Sequence, residues 1–119
     1  MEYNLSEMET ELAEIIWERE PIKSSELVDI CGEEFQWKKS TTYTMLKRIE
    51  NKGVLINEEG IVKSLISRKD FYANLSSNYV KKSFDGSLPK FVAAFTRAEK
   101  LSDREINEIE AMIRAHRED

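Results

Sequence analysis

Between residues 37 and 53 the chain reads WKKSTTYTMLKRIENKG. At helical spacing Thr42, Met45, Leu46 and Ile49 fall on one face, and Ser40, Thr41, Tyr43, Thr44, Lys47, Arg48 and Asn51 fall on the other. The second face offers hydroxyls, an aromatic ring, a basic pair and an amide, with no acid before Glu50. Short polar groups match base edges, and Lys and Arg match phosphates, so this composition suits a helix lying in a DNA major groove. On that reading Ser40, Thr41, Tyr43 and Thr44 face bases, Lys39, Lys47 and Arg48 face the backbone, and Gly53 supplies the helix stop. A solvated face on an ordinary amphipathic helix has the same pattern, and the surrounding sequence has to separate the two.

The elements that would position such a helix are legible on both sides. Upstream, Ser6 and Glu9 form a capping box, and Leu5, Met8, Leu12, Ile15 and Ile16 form an inward stripe that predicts a first helix, stopped by Pro21 after Trp17. A short second helix begins near Ser24 or Ser25, contributes Leu27, Val28 and Ile30, and ends at Gly32 or in GEEFQ. Three helices with a short second member and a polar third describe a helix-turn-helix domain. Downstream the period changes: VLIN and IVKSLI flank the turn EEG, which predicts a small β-hairpin. A hairpin directly after the third helix is the wing of a winged-helix fold, and Lys63 on it is placed to reach a phosphate.

The charge distribution agrees. The net charge of −5 divides into −9 over residues 1–35, +5 over residues 36–69 and −1 over residues 70–119. The positive block is the one holding the polar helix, and acidic flanks would orient it toward DNA. With 119 residues, 40% of them apolar, the chain can bury one modest core. No apolar run approaches the ~20 residues needed to span a bilayer, and MEYNLSEMETE is acidic where a signal peptide is basic. One cysteine, Cys31 in ELVDIC, makes no internal disulfide and reads as a small buried hydrophobe in a reducing cytoplasm. One Cys and one His exclude a Cys/His metal cage within the chain, and no phosphate-cradling glycine loop, HExxH or nucleophile elbow is present. Neither an enzyme nor a cofactor is expected.

Beyond residue 67 helical patterns return. Phe71, Leu75, Tyr79 and Val80 form one stripe, DGS at 85–87 breaks it, and Leu88, Phe91, Val92 and Phe95 anchor the next segment. Ser102 and Glu105 open a last helix with a second capping box, stapled by Leu101 and Ile106, and Ile106, Ile109, Met112 and Ile113 recur along it. About fifty residues hold too little core to fold alone. These stripes, above all Leu88, Phe91, Val92, Phe95, Ile106, Ile109 and Ile113, either meet a second copy of the chain or pack back onto the N-terminal helices. The expected architecture is mainly α, a winged helix-turn-helix with a small β-hairpin wing over 1–67 and a helical dimerisation region over 68–119.

IIW at 15–17, SSELVD at 24–29, STTYTMLKRIENKG at 40–53 and FDGSLPKFVAAFTRAEKLSDREI at 84–106 resemble the penicillinase-repressor family, the BlaI/MecI/CopY type of transcriptional regulator. The resemblance covers nearly the whole chain. It implies a cytoplasmic repressor, homodimeric through its C-terminal helices, that binds a dyad operator in double-stranded DNA, and a sensor or protease that relieves repression. By position, Thr41, Tyr43 and Thr44 match the groove-facing start of the family's recognition helix, and Lys47, Arg48 and Lys52 match its backbone-facing end. Three departures stand out. The second wing strand is the short IVKSLI rather than an aromatic-rich one, the paired Cys-x-Cys motifs of the copper-responsive branch are absent, and Ala94–Phe95 occupies the place of the cleavable Asn–Phe bond of the resistance branch. A winged-helix module that docks protein rather than DNA is the alternative, with the polar helix face as its docking surface.

Overall fold

The computed structural model describes residues 2–118, which form α1 (Glu7–Arg19), β1 (Ile22–Lys23), α2 (Ser24–Phe35), α3 (Lys39–Asn51), β2 (Leu55–Glu58), β3 (Ile61–Ser64), α4 (Arg68–Ser83), α5 (Leu88–Ala98) and α6 (Asp103–Glu118). The chain divides into two compact units, the first running through Asn78 and the second starting at Tyr79. This is a winged helix-turn-helix followed by helices, the fold class expected from the sequence.

In the first unit the capping box forms as read: Glu9 N–H donates to Ser6 Oγ at 3.2 Å, and Ser6 N–H donates to Glu9 Oε1 at 2.8 Å. The inward arc of α1 differs from the expected stripe. Glu9, Leu12, Ala13 and Ile16 are buried, whereas Met8 is 38% exposed. Positions 9, 12, 13 and 16 share one face, so the arc is rotated by about one residue, and a charged side chain sits where an apolar one was expected. α1 also continues to Arg19, two residues past the expected stop.

Ser24 opens α2, its N–H donating to Gly60 O at 2.8 Å, which fastens the helix to the turn of the hairpin. Thr42, Met45, Leu46 and Ile49 of α3 are buried, as the spacing required. The helix ends with Gly53 at φ 81°, where Gly53 N–H returns to Glu50 O at 3.0 Å. A left-handed residue is needed there, and glycine carries no Cβ penalty.

The hairpin turn has Glu59 at φ 51° and Gly60 at φ 88°. Two successive positive φ values in a two-residue loop match the right-handed twist of the strands. The sheet is antiparallel in the order β1-β3-β2, with Ile22 opposite Val62 and Asn57 opposite Val62 from the other side. β1 was not foreseen, since two residues carry no readable period. The core is filled by Leu12, Ile16, Leu27, Cys31, Ile49, Val54, Leu55 and Val62, and by Phe71 from α4. Full burial stabilises each large apolar side chain by about 1.5–3 kcal/mol. α4 is held to α1 by the Phe71 ring on Trp17 (5.2 Å between centroids), by Arg68 Nε donating to Glu14 at 2.8 Å, and by Tyr72 Oη donating to the same carboxylate at 2.6 Å.

The second unit carries a chain of rings, Tyr79, Phe84, Phe91 and Phe95, with successive centroids 6.0, 5.3 and 6.2 Å apart. Ser87 caps α5 by accepting Lys90 N–H at 3.2 Å, and Ser102 caps α6 in the expected box with Glu105. No residue of α5 or of the described part of α6 is buried.

Candidate nucleic-acid interface

The buried face of α3 fixes its outward face. Ser40, Thr41, Thr44, Lys47, Arg48 and Asn51 are all exposed, and Lys38 and Lys39 are exposed at the N-terminal end. That end has no side-chain cap and no acid in its first turn. Its free N–H groups and the positive end of the helix dipole therefore add to the two lysines. Thr44 Oγ1 donates back to Ser40 O at 2.9 Å. Its hydroxyl proton is thus committed, which leaves the oxygen of this exposed side chain to act toward a partner only as an acceptor.

Two residues expected on this surface are turned elsewhere. Tyr43 is half-buried against the core, with its hydroxyl 3.2 Å from Ser24 Oγ, a contact that holds α3 against the start of α2. Lys52, expected at the DNA backbone, instead donates to Glu9 Oε1 at 2.7 Å and to Asn4 O at 2.8 Å. Its ammonium is drawn inward because the Glu9 side chain is only 4% exposed and needs a counter-charge. Burial alone would raise the Glu9 pKa, but the Lys52 contact and the Ser6 N–H together hold it below the usual carboxylate range.

Lys47 and Lys63 keep exposed positions, the first beside the part-buried Glu50 and the second beside the exposed Glu58. Lys47 Nζ is 3.5 Å from Glu50 Oε1, and Lys63 Nζ on β3 is 3.5 Å from Glu58 Oε1. Such pairs are worth little in water and leave both lysines exchangeable. The wing tip itself carries Glu58 and Glu59, both exposed, so it is acidic where the α3 surface is basic.

Glu50, which in the sequence marks only the end of the acid-free stretch, has a second contact. Its Oε2 accepts Asn57 N–H from β2 at 3.0 Å, and this bond, with the Lys47 charge behind it, holds the carboxyl below the usual range. Cys31 lies fully buried, and burial pushes its thiol pKa up, as expected of an unreactive core residue. Among the described residues no cluster of His, Cys, Asp and Glu could hold a metal ion, and no helix is long and apolar enough to cross a membrane.

In the second unit Leu88, Val92, Phe95, Ile106, Ile109 and Ile113 are exposed on the single chain, and Phe91 is half-buried among the rings. Residues 88, 91, 92 and 95 share one face of α5, and 106, 109 and 113 share one face of α6.

The description "Penicillinase repressor" belongs to the family model that matches residues 5–115. The chain belongs to the penicillinase repressor family. It is 27% identical over 117 residues to the penicillinase repressor of Bacillus licheniformis, spanning 95% of this chain and 91% of that one. It is 25% identical over 111 residues to the methicillin resistance regulatory protein MecI of Mammaliicoccus sciuri and of Staphylococcus aureus, spanning 90% of each chain. These relatives are repressors and regulators, not enzymes, and the penicillinase repressor family places this chain among transcriptional regulators.

Proposed function

We propose that this chain is a homodimeric repressor that binds a dyad-symmetric site in double-stranded DNA with α3 in the major groove. The observation that carries the reading is the outward face of α3: Ser40, Thr41, Thr44, Lys47 and Arg48 are exposed together, while Thr42, Met45, Leu46 and Ile49 lock the helix to the core. Ser40, Thr41 and Thr44 meet base edges, and Lys39, Lys47 and Arg48 meet phosphates. Lys63 contributes once it leaves Glu58, whereas Lys52 serves the domain rather than the duplex.

Dimerisation is supported by the large apolar side chains that α5 and α6 leave exposed on the single chain, since apolar surface of this kind marks a protein interface. The sequence holds no Asn–Phe pair, and Ala94–Phe95 stands in α5 at the matching place, so a protease that relieves repression in this chain acts at a different bond.

Selection from a random duplex pool, followed by titration on operators with five or ten base pairs inserted at the centre, tests this. A two-fold reader needs its half-sites about one helical turn apart, ~34 Å. Five inserted pairs put one half-site on the opposite face and abolish tight binding, and ten partly restore it. Equal affinity for all three spacings, or no enrichment of any duplex, overturns the proposal. In the latter case the polar face of α3 is a protein-docking surface.

A further inference from the structure

The two oxygens of the Glu50 carboxylate serve different elements. Oε2 accepts the backbone N–H of Asn57, at 3.0 Å, and Oε1 faces Lys47 Nζ at 3.5 Å. Asn57 lies on β2, an edge of the sheet, one step in from the Glu58–Ile61 pair that closes the two-residue turn. At that register its N–H points out of the ladder and has no strand to meet. Glu50 supplies the acceptor. Asn57 Oδ1 in turn accepts Gly60 N–H at 3.0 Å, so hydrogen bonds run without a break from the last turn of α3 to the tip of the wing.

The two partners of this carboxylate differ in freedom. The Glu50 side chain is 24% exposed and anchored by Asn57, while the Lys47 side chain is 70% exposed and one helical turn beyond Thr44 on the outward face. A phosphate takes Lys47 only by competing with a carboxylate that cannot follow it. In a fully seated complex the phosphate is held close and wins. In a loosely docked complex on the wrong sequence the contact is longer and more hydrated, and Lys47 stays with Glu50.

Building on the DNA-binding reading above, we propose that Glu50 is a positioning and specificity-determining residue, which ties the wing to α3 and withholds Lys47 from the phosphates of non-cognate DNA. Non-cognate complexes therefore neutralise on average fewer phosphates per dimer than cognate ones, by about one.

Two substitutions in the full-length chain separate the two tasks. Glu50→Gln keeps an oxygen for the Asn57 N–H but releases Lys47. Glu50→Ala removes both partners. On a mixed-sequence duplex E50Q should bind about three- to five-fold tighter, from two exposed pairs worth about 0.3–0.5 kcal/mol each. Its log–log salt slope there should steepen by about one unit, because a pair of that strength holds each Lys47 for roughly two-thirds of the time. On the selected operator the slope should not change, since Lys47 is already engaged. Amide exchange at Asn57, followed by NMR without DNA, should stay slow in E50Q and become fast in E50A. A mixed-sequence slope equal to the wild type in E50Q overturns the restraint on Lys47. Slow Asn57 exchange in E50A overturns the wing tie. A wild-type protein that binds no duplex at any salt overturns the DNA reading itself and the Lys47 restraint with it, whereas the exchange experiment judges the wing tie regardless.

Discussion

Thr44 offers a sharp test of base reading, because its internal bond limits what it can do. Its hydroxyl proton is given to Ser40 O at 2.9 Å, so outward it can accept a hydrogen bond from a cytosine or adenine amino group, or place its methyl on a thymine methyl, but it cannot donate. Thr44→Val keeps the methyl and deletes the acceptor, and Thr44→Ser does the reverse. Val and Thr differ little in helix propensity and the site is exposed, so neither change should unfold α3. A direct base contact contributes about 1–3 kcal/mol of discrimination. A two-fold dimer makes it twice at well-separated positions, where such contributions add, giving about 2–6 kcal/mol on a full dyad. The assay is equilibrium titration of wild type and both variants against the selected operator and a mixed-sequence duplex at one salt concentration, with thermal unfolding as the control. One variant should lose operator affinity by this amount while the other holds it, and neither should change much on the mixed duplex. Equal losses on every duplex, or none on any, would refute the assignment of Thr44 as a base reader.

Lys52→Met should destabilise the first unit by about 1–3 kcal/mol in denaturant unfolding, because it strands a Glu9 carboxylate that is 4% exposed; the 38% exposure of the Lys52 side chain keeps the loss below that of a fully buried pair. Adding Glu9→Gln to that variant should recover part of the loss. Glu9, Glu14 and Glu50 are all held below their ordinary pKa, so each binds its proton more tightly in the unfolded chain. Their stabilisation is complete above the usual glutamate value of about 4.3 and is lost as pH falls through the lower folded values. Urea midpoints measured from pH 8 to pH 3 should fall only in that acid range, and a fall between pH 8 and 6 would point to other groups. Val92→Glu places a charge on the exposed apolar face of α5. It should make the protein monomeric by sedimentation and lower affinity for the dyad by roughly 10²–10⁴ while sparing half-site binding.

Glu9 marks the boundary of what composition and spacing reveal. Ser6 and Glu9 announce a capping box, and that box forms, but the carboxylate is also buried and paired with a lysine 43 positions away. Nothing local distinguishes it from the exposed glutamates around it. Tyr43 is similar: helical spacing puts it beside Thr44 on the polar face, and Ser24, 19 positions earlier, turns it inward. The Glu50 link to Asn57 is shorter in sequence, seven positions, yet it depends on β2 being the sheet edge, which the order β1-β3-β2 alone establishes.

The three-helix and hairpin order, the capping boxes at Ser6 and Ser102, the glycine stop at Gly53 and the buried set Thr42, Met45, Leu46 and Ile49 are all legible along the chain. Each of these rests on neighbours within one or two turns, so periodicity and capping chemistry are enough to place them. Contacts between distant elements are what expose Met8 and bury Glu9, add β1 to the sheet, and bring Tyr43 and Lys52 onto protein partners while Thr44 and Lys47 stay exposed. A polar side chain goes where its donors and acceptors are satisfied, and those partners stand on elements that only folding brings beside it.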